Sequence, residues 1–442
     1  MNIQFTEFVL DTTADDLPDE VLDRARLWLL DLCGVAAAGS ETALSGIIRD
    51  HAAAQFGAGN RAARMIVDGR RVSPAGAALA GGMTIDAMDA HDGHRLTKGH
   101  VGCGVLPALL ALAEAEGLED GGEVLAALVI GYEIGTRAGI ALHRTACDYH
   151  TSGAWVAVAC AALGARIIGL GPDRLMEAVG IAEYHGPRSQ MMRCIDHPTM
   201  LKDGSGWGAM AGVSAAYLAA AGFTGAPAVT VTGADVADLW SDLGSRWLVL
   251  EQYFKPYPVC RWAQPAMRGV LDLRAEHGLV STDVERIEVA TFHESRRLAT
   301  TRPRTTEEAQ YSTAYPAAVA MVKGGCDPAD VSEDSFADPE IRRLAEGMVI
   351  TEDPAFNTAF PARRLARVTL HLADGRAVTS ADTEARGDPE TPAARSEIVA
   401  KYRRYAQPVL GTERASALEA AVAGLGDGAG LEPLLDALAP GA

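Results

Sequence analysis

"GEVLAALVIGYEIGTRAGIAL", residues 122–142, is apolar or small along most of its length, interrupted by Glu133, Arg137 and glycines. Such a run is either a membrane span or a helix buried inside a protein. The ionisable pair and the glycines favour a buried helix. "GAWVAVACAALGARIIGLG" (153–171) reads the same way, with Arg166 in its last turn. No membrane partner is expected.

Working outward, the pattern stays helical to about residue 250. "DDLPDEVLDRARLWLLDLCGVAAAGS" places Pro18 in a first turn, with Leu22, Ala25, Leu29, Leu32 and Cys33 on one stripe. "SPAGAALAGGMTIDAM" offers Ser73 as N-cap and Pro74 just inside. "VLPALLALAEAEG" and "GAMAGVSAAYLAAAGF" follow, and small residues at three- and four-residue spacing suit closely packed helices. After about residue 265 the texture changes. "VERIEVATFHE" (284–294) and "RRLARVTLHLADGRAVTSADTEARG" (363–387) alternate as strands do, with Asp374–Gly375 at a hairpin turn. "AYPAAVAMVKGG" and "DPEIRRLAEGMV" between them read as helices. The tail from about 393 returns to helix. The expected architecture is a large all-α bundle (1–260 and 393–442) plus a smaller α+β lid with an antiparallel sheet (261–392).

A formal net charge of −19 leaves no general field for a polyanion, so nucleic acid is not an expected partner. The seven cysteines form no C-x-x-C pair, and the N-terminus shows no basic and apolar leader, which together fit a reducing cytoplasm.

"DAHDGHRLTKGH" (89–100) concentrates histidines, aspartates and cations between apolar helices. His91 and His94, one helical turn apart with Asp89, Asp92 and His100 nearby, permit a zinc or manganese site and hence a metal-dependent hydrolase. A solvated loop and an acid/base site for small anions are the other readings. Among 39 basic residues only five are lysines: Lys98, Lys202, Lys255, Lys323 and Lys401. Lysines that survive in an arginine-using chain are enriched where a proton must be released, because arginine cannot release one. Lys323 and Lys401 have ordinary surface readings. Lys202, in "HPTMLKDGSGWG", reads equally as a surface lysine or an anion contact. Lys255, in "YFKPYPVCR", is held by Pro256 and Pro258 in fixed relation to Arg261, an arrangement suited to presenting cations to carboxylates. His150, in "CDYHTSGAWV", reads on its own as a core histidine.

Together these segments resemble the MmgE/PrpD family, which includes 2-methylcitrate dehydratase, cis-aconitate decarboxylase and iminodisuccinate epimerase. The likeness runs through "LPDEVLDRARLWLLDLCGVAAAG", "DAHDGH…GHVGCGVLPALLALAEA", "LKDGSGWGAMAGVSAAYLAAAGFTG", "FKPYPVCR" and "AQYSTAYPAAVAMVKGG". The resemblance implies a helical domain with an α+β lid, a homodimer, a cofactor-free site between the domains, and a small di- or tricarboxylate substrate. It places site residues at Asp89, His100, His150, Lys202, Lys255 and Tyr315. Where dehydratases and decarboxylases of the family usually show Asp-x-Asp-Asp-Thr, this chain has "DAHDG", so His91 replaces an acid and Gly93 the threonine. Trp262 and Gln264 depart as well.

The implied chemistry is proton removal beside a carboxylate. The altered loop favours epimerisation of an iminodisuccinate-type substrate, with tricarboxylate dehydration or decarboxylation as the alternative. In this reading Lys202 and His100 or His150 exchange the proton, and Asp89 orients a histidine. Tyr315 donates a hydrogen bond or proton, and Lys255 and Arg261 hold carboxylates, assisted by His91 and Lys98.

Overall fold

The computed structural model describes residues 3–439. The stretch quoted first lies in one helix, Gly121–Thr145, whose Asp120 cap accepts from the Glu123 amide at 2.8 Å. By length and composition this helix could cross a membrane, but 94% of its apolar window is buried inside the protein. Its central charges are buried too. Arg137 donates to Glu133 at 3.2 Å and to the Leu239 and Arg246 carbonyls at 3.0 and 2.9 Å. Glu133 also accepts from the Val249 amide at 2.8 Å. A charge persists in a core when it is paired and hydrogen-bonded. The pair that interrupts the apolar run therefore clamps the following 239–249 segment to the helix.

At the centre of the bundle, helix Ser205–Ala220 packs against Pro74–Asp86, Gly102–Glu116, Gly153–Ile168 and Pro172–His185. Small residues make this approach possible. A Cβ added to Gly208 would stand 2.3 Å from the Gly153 carbonyl oxygen, so the two backbones touch and no side chain fits between them. Pro74–Asp86 starts as its sequence indicates, with the Ser73 hydroxyl accepting from the Gly76 amide at 3.3 Å. The C-terminal helix Arg395–Leu410 packs along Asp19–Ser40.

Strands β1 (Ala63–Arg64) and β2 (Arg71–Val72) form a short antiparallel ladder within the helical part. The larger sheet contains β3 (Val284–Thr291), β4 (Val349–Glu352), β5 (Ala366–Leu372) and β6 (Ala377–Thr379), in the order β4-β3-β5-β6. The hairpin expected at Asp374–Gly375 joins β5 to β6. Alternation in β5 buries Ala366, Val368, Leu370 and Leu372, and Val368 meets helix Gln264–His277 at Gly269. The sheet is mixed rather than antiparallel, because β4 runs parallel to β3. Between these strands the chain passes through helices, including Pro339–Glu346, and such a crossover returns it to the starting end. The strand "VITE" that makes the parallel pair has only four residues and was not legible as a strand.

Candidate active site

Stretches far apart in the chain meet at one buried cluster. One is the loop between helices Pro74–Asp86 and Gly102–Glu116, which contains the histidine cluster. It is stitched to the lysine segment by a reciprocal pair: the Tyr253 amide donates to the Gly93 carbonyl at 2.7 Å, and the Gly93 amide to the Tyr253 carbonyl at 3.3 Å. Lys401 fixes the same loop from the C-terminal helix. Its ammonium donates to the Ala90 carbonyl at 2.6 Å and to Asp31 at 2.9 Å, and it is 1% exposed. The surface reading of Lys401 is thus corrected: a buried carboxylate and a backbone oxygen satisfy its charge.

Lys255 is fully buried, and its ammonium donates directly to the Asp89 carboxylate. Burial opposes the charge on Lys255, but Asp89 outweighs it and holds the amine above the ordinary lysine range. Burial likewise opposes ionisation of Asp89. Lys255 and Lys202 overcome this and keep the carboxyl well below the usual carboxylate range. Lys202, 2% exposed, is placed differently. It donates to Gln310 Oε1 at 2.8 Å and lies 4.6 Å from the centroid of the Tyr311 ring. No carboxylate faces it within salt-bridge distance among the described residues. Its φ of +48° is left-handed, a conformation disfavoured for side-chain-bearing residues and kept where the surroundings impose it. Gln310 also accepts from the Asp89 amide at 2.8 Å, so one buried amide aligns both Asp89 and Lys202.

His100 Nδ1 lies 2.6 Å from the Asp92 carbonyl oxygen. A carbonyl carries no proton, so Nδ1–H is the donor and Nε2 of the neutral ring keeps a free lone pair. Burial, then Lys255 and His91, hold the ring well below the ordinary histidine pKa, so it is neutral. Nε2 points between Asp203 Oδ2 at 3.6 Å and Asp89 Oδ1 at 3.9 Å. Ser152 links these groups: its hydroxyl accepts from the His100 amide at 3.0 Å and donates to Asp203 Oδ2 at 2.8 Å. Burial, with Asp86 and Asp89 as like charges, pushes Asp203 up to about 8. One carboxyl therefore holds a proton near neutrality beside an unprotonated imidazole nitrogen.

The structure thus brings Asp89, His91, His100, Lys202 and Lys255 together. The His91 ring meets His100 edge-on at 4.2 Å between centroids, and His91 Nε2 lies 3.6 Å from Asp86. His150 is buried, donates from Nδ1 to the Asp148 carbonyl at 2.9 Å, and its amide donates to His143 Nε2 at 3.2 Å. Tyr315 does not reach the cluster, because its hydroxyl donates to the Asp330 carbonyl at 2.8 Å and its ring packs on Phe336. Tyr311 is the tyrosine against Lys202. Arg261 is not available to a ligand in this arrangement: its Nη atoms bind the Phe254 and Arg386 carbonyls at 3.0 and 2.7 Å and Asp388 at 2.8 Å. Lys98 is half-buried, with its ammonium 4.2 Å from the centre of the Tyr149 ring. Trp262 packs between Tyr149, Phe292 and Phe360, while Gln264 binds the Tyr257 and Val259 carbonyls. Asp203, Gln310 and Tyr253 were not singled out from sequence. Asp203 adjoins Lys202, which was its only local signal.

His94 does not join His91 in a metal set, since it turns toward Glu251 at 3.7 Å. The convergent donors are instead Asp89, His91 and His100, whose ligand atoms lie within 4.8 Å of one another. Two imidazoles and a carboxylate suit zinc in principle. However, the Lys255 ammonium already occupies the Asp89 oxygen, and a dication there would face that fixed positive charge.

Residues 3–242 match the MmgE/PrpD N-terminal domain, and residues 257–427 the MmgE/PrpD C-terminal domain. The chain is 25% identical over 469 residues to cis-aconitate decarboxylase of Aspergillus terreus, covering 96% of this chain and 93% of the relative. The cis-aconitate decarboxylase of Aspergillus terreus strain NIH 2624 / FGSC A1156 matches to the same extent. Cis-aconitate decarboxylase-like protein oryM of Aspergillus oryzae is 24% identical over 500 residues, covering 98% and 96% of the two chains.

Proposed function

Because the chain belongs to the MmgE/PrpD family, we propose that it is a cofactor-independent lyase that decarboxylates a small tricarboxylate of the cis-aconitate type. The observation that carries this reading is the grouping of two buried ammonium groups, Lys255 paired with Asp89 and Lys202 aligned with it through Gln310, beside the free Nε2 of His100. The relatives are named as decarboxylases over nearly their full length. The epimerisation expected from His91 and Gly93 draws no support from them, and the reading moves to the lyase alternative.

When a carbon–carboxylate bond breaks, CO₂ leaves and the electron pair stays on the substrate. That pair spreads into the neighbouring unsaturated system, and the developing negative charge is stabilised by Lys202 and Lys255, fixed in a site from which water is largely excluded. A new C–H bond then forms with a proton from the Lys202 ammonium. The Lys202 amine takes a replacement proton from water as the product leaves, with protonated Asp203 and the free Nε2 of His100 beside it as an acid–base pair. A positioned acid–base pair of this kind supplies on the order of 10²–10⁴-fold in rate.

The direct test is incubation with cis-aconitate in D₂O followed by NMR. Loss of CO₂ with one deuterium fixed on carbon is the expected result. Addition of water without CO₂ loss would make the protein a hydratase or dehydratase. Inversion of an amino-dicarboxylate without either would restore epimerisation.

A further inference from the structure

Arg364 lies between helix Pro354–Ala359 and strand β5 and is only 6% exposed. A guanidinium carries five N–H donors. The structure gives Arg364 one hydrogen bond, from Nη2 to the Arg95 carbonyl at 3.2 Å, while its buried Nε has no partner. The other deeply buried arginines also leave Nε without a partner, but carboxylates neutralise them: Glu133 and Asp242 for Arg137, and Asp388 for Arg261. Among the described residues no carboxylate does this for Arg364. Its guanidinium instead lies 5.3 Å from the centroid of the Tyr253 ring.

Beside it is a second cation without a carboxylate in contact. Lys98 sits over Tyr149 in a left-handed backbone conformation, φ +51°. Burial and the neighbouring Arg364 both weigh against its charge, offset only by the more distant Glu294. Two like charges within reach of one another, one of them buried with a free donor, favour an anion between them. They adjoin the reaction centre, because the Tyr253 ring beside Arg364 is 6.4 Å from that of His100.

We propose that Arg364, with Lys98, is the receptor for a second carboxylate of the substrate, gripping it on the sheet side of Tyr253 while the reacting carbon lies at His100 and Lys202. This inference rests on the lyase reading and deepens it. The unpartnered Nε–H can donate to one carboxylate oxygen, and Lys98 adds a point charge. A substrate bearing carboxylates on separate carbons is therefore selected over a monocarboxylate.

The test is calorimetric binding of propane-1,2,3-tricarboxylate, which is saturated and does not react by this route, with butyrate as the monocarboxylate control. R364Q should weaken the tricarboxylate by about tenfold or more, as expected for loss of a charge-assisted contact, and leave butyrate unchanged. R364K should fall between R364Q and the parent protein. In turnover of cis-aconitate, R364Q should raise KM more than it lowers kcat. Tricarboxylate binding by a folded R364Q within about twofold of the parent protein overturns the inference and leaves the lyase reading intact. Failure of the parent protein to bind any polycarboxylate ends both. If R364Q does not fold, K98M decides by the same measurement, with selective loss of the tricarboxylate expected and equal binding overturning the inference.

Discussion

Lys255 and Asp89 form an ion pair inside the protein, with the ammonium 0% and the carboxylate residue 2% exposed, 166 residues apart in sequence. Each is charged only because the other is there. Replacing Asp89 by Asn strands Lys255 beside Lys202, and stranding one member of a buried pair costs roughly 3–5 kcal/mol. The D89N protein should melt well below the parent, and D89N/K255M should regain much of the difference by removing the orphan. Calorimetric melting of the three proteins checks this, and an unchanged D89N would show that the pair is not structural.

Lys202→Met removes the buried amine that lacks a carboxylate partner. Its loss should lower kcat by about 10²–10⁴-fold, the range for a proton-transfer group, while the fold survives. Turnover by NMR and unfolding by circular dichroism separate these effects. Near-normal turnover would remove Lys202 from the mechanism.

Gly93 is where the family usually carries threonine. A Cβ there would stand 2.5 Å from the Tyr253 hydroxyl oxygen and 2.7 Å from His100 Nδ1. Gly93→Thr should therefore displace His100 and cut activity severely, and adding Tyr253→Ala should recover part of it by removing both the hydroxyl and the ring carbon that lies 2.6 Å away. Restoration by the second substitution is the decisive comparison. G93T alone with full activity would show that the loop yields freely.

Asp203 gives a pH dependence of defined sign. Its folded value, pushed up to about 8, lies above the unfolded 3.8, so the folded state retains a proton that the unfolded chain releases. This contribution is complete below the ordinary carboxylate range and is lost as pH rises through about 8. His100 acts the other way. Its depressed pKa gives stability present above 6.5 and lost as pH falls. Denaturant unfolding at about pH 7 and about pH 9 should thus show a loss at the higher pH that D203N reduces. Activity should fall over the same interval. Identical pH dependence in the two proteins would return Asp203 to an ordinary acid.

With Lys255 against Asp89, chelation should leave turnover unchanged. Dialysis against EDTA followed by elemental analysis and assay checks this. Activity lost on dialysis and restored by zinc would instead assign Asp89, His91 and His100 to a metal.

Local patterns carried much of the fold. Ser73 and Pro74 announce a helix start, and β5 announces itself by alternation, because these signals act between residues a few positions apart. Lys scarcity pointed to Lys202 and Lys255, both of which the fold buries. It could have led to Lys401 as well, since Ile398, Tyr402 and Tyr405 place that lysine on a buried helical face. The charged neighbours in "KYRR" obscured it. Gln310 had no such signal: an uncharged amide 108 residues from Lys202 acquires its role only by contact.

By itself the sequence determined that small-residue helices would pack backbone to backbone, and that a few amines and imidazoles were spent where arginine would not serve. Only the tertiary structure decided which of them meet, that Tyr315 and Arg261 face elsewhere, and which carboxyl keeps its proton. Helix formation is governed by near neighbours and a short repeat. Ionisation in a water-poor interior is governed by distances of a few ångströms between groups far apart along the chain, and those distances exist only once the chain has folded.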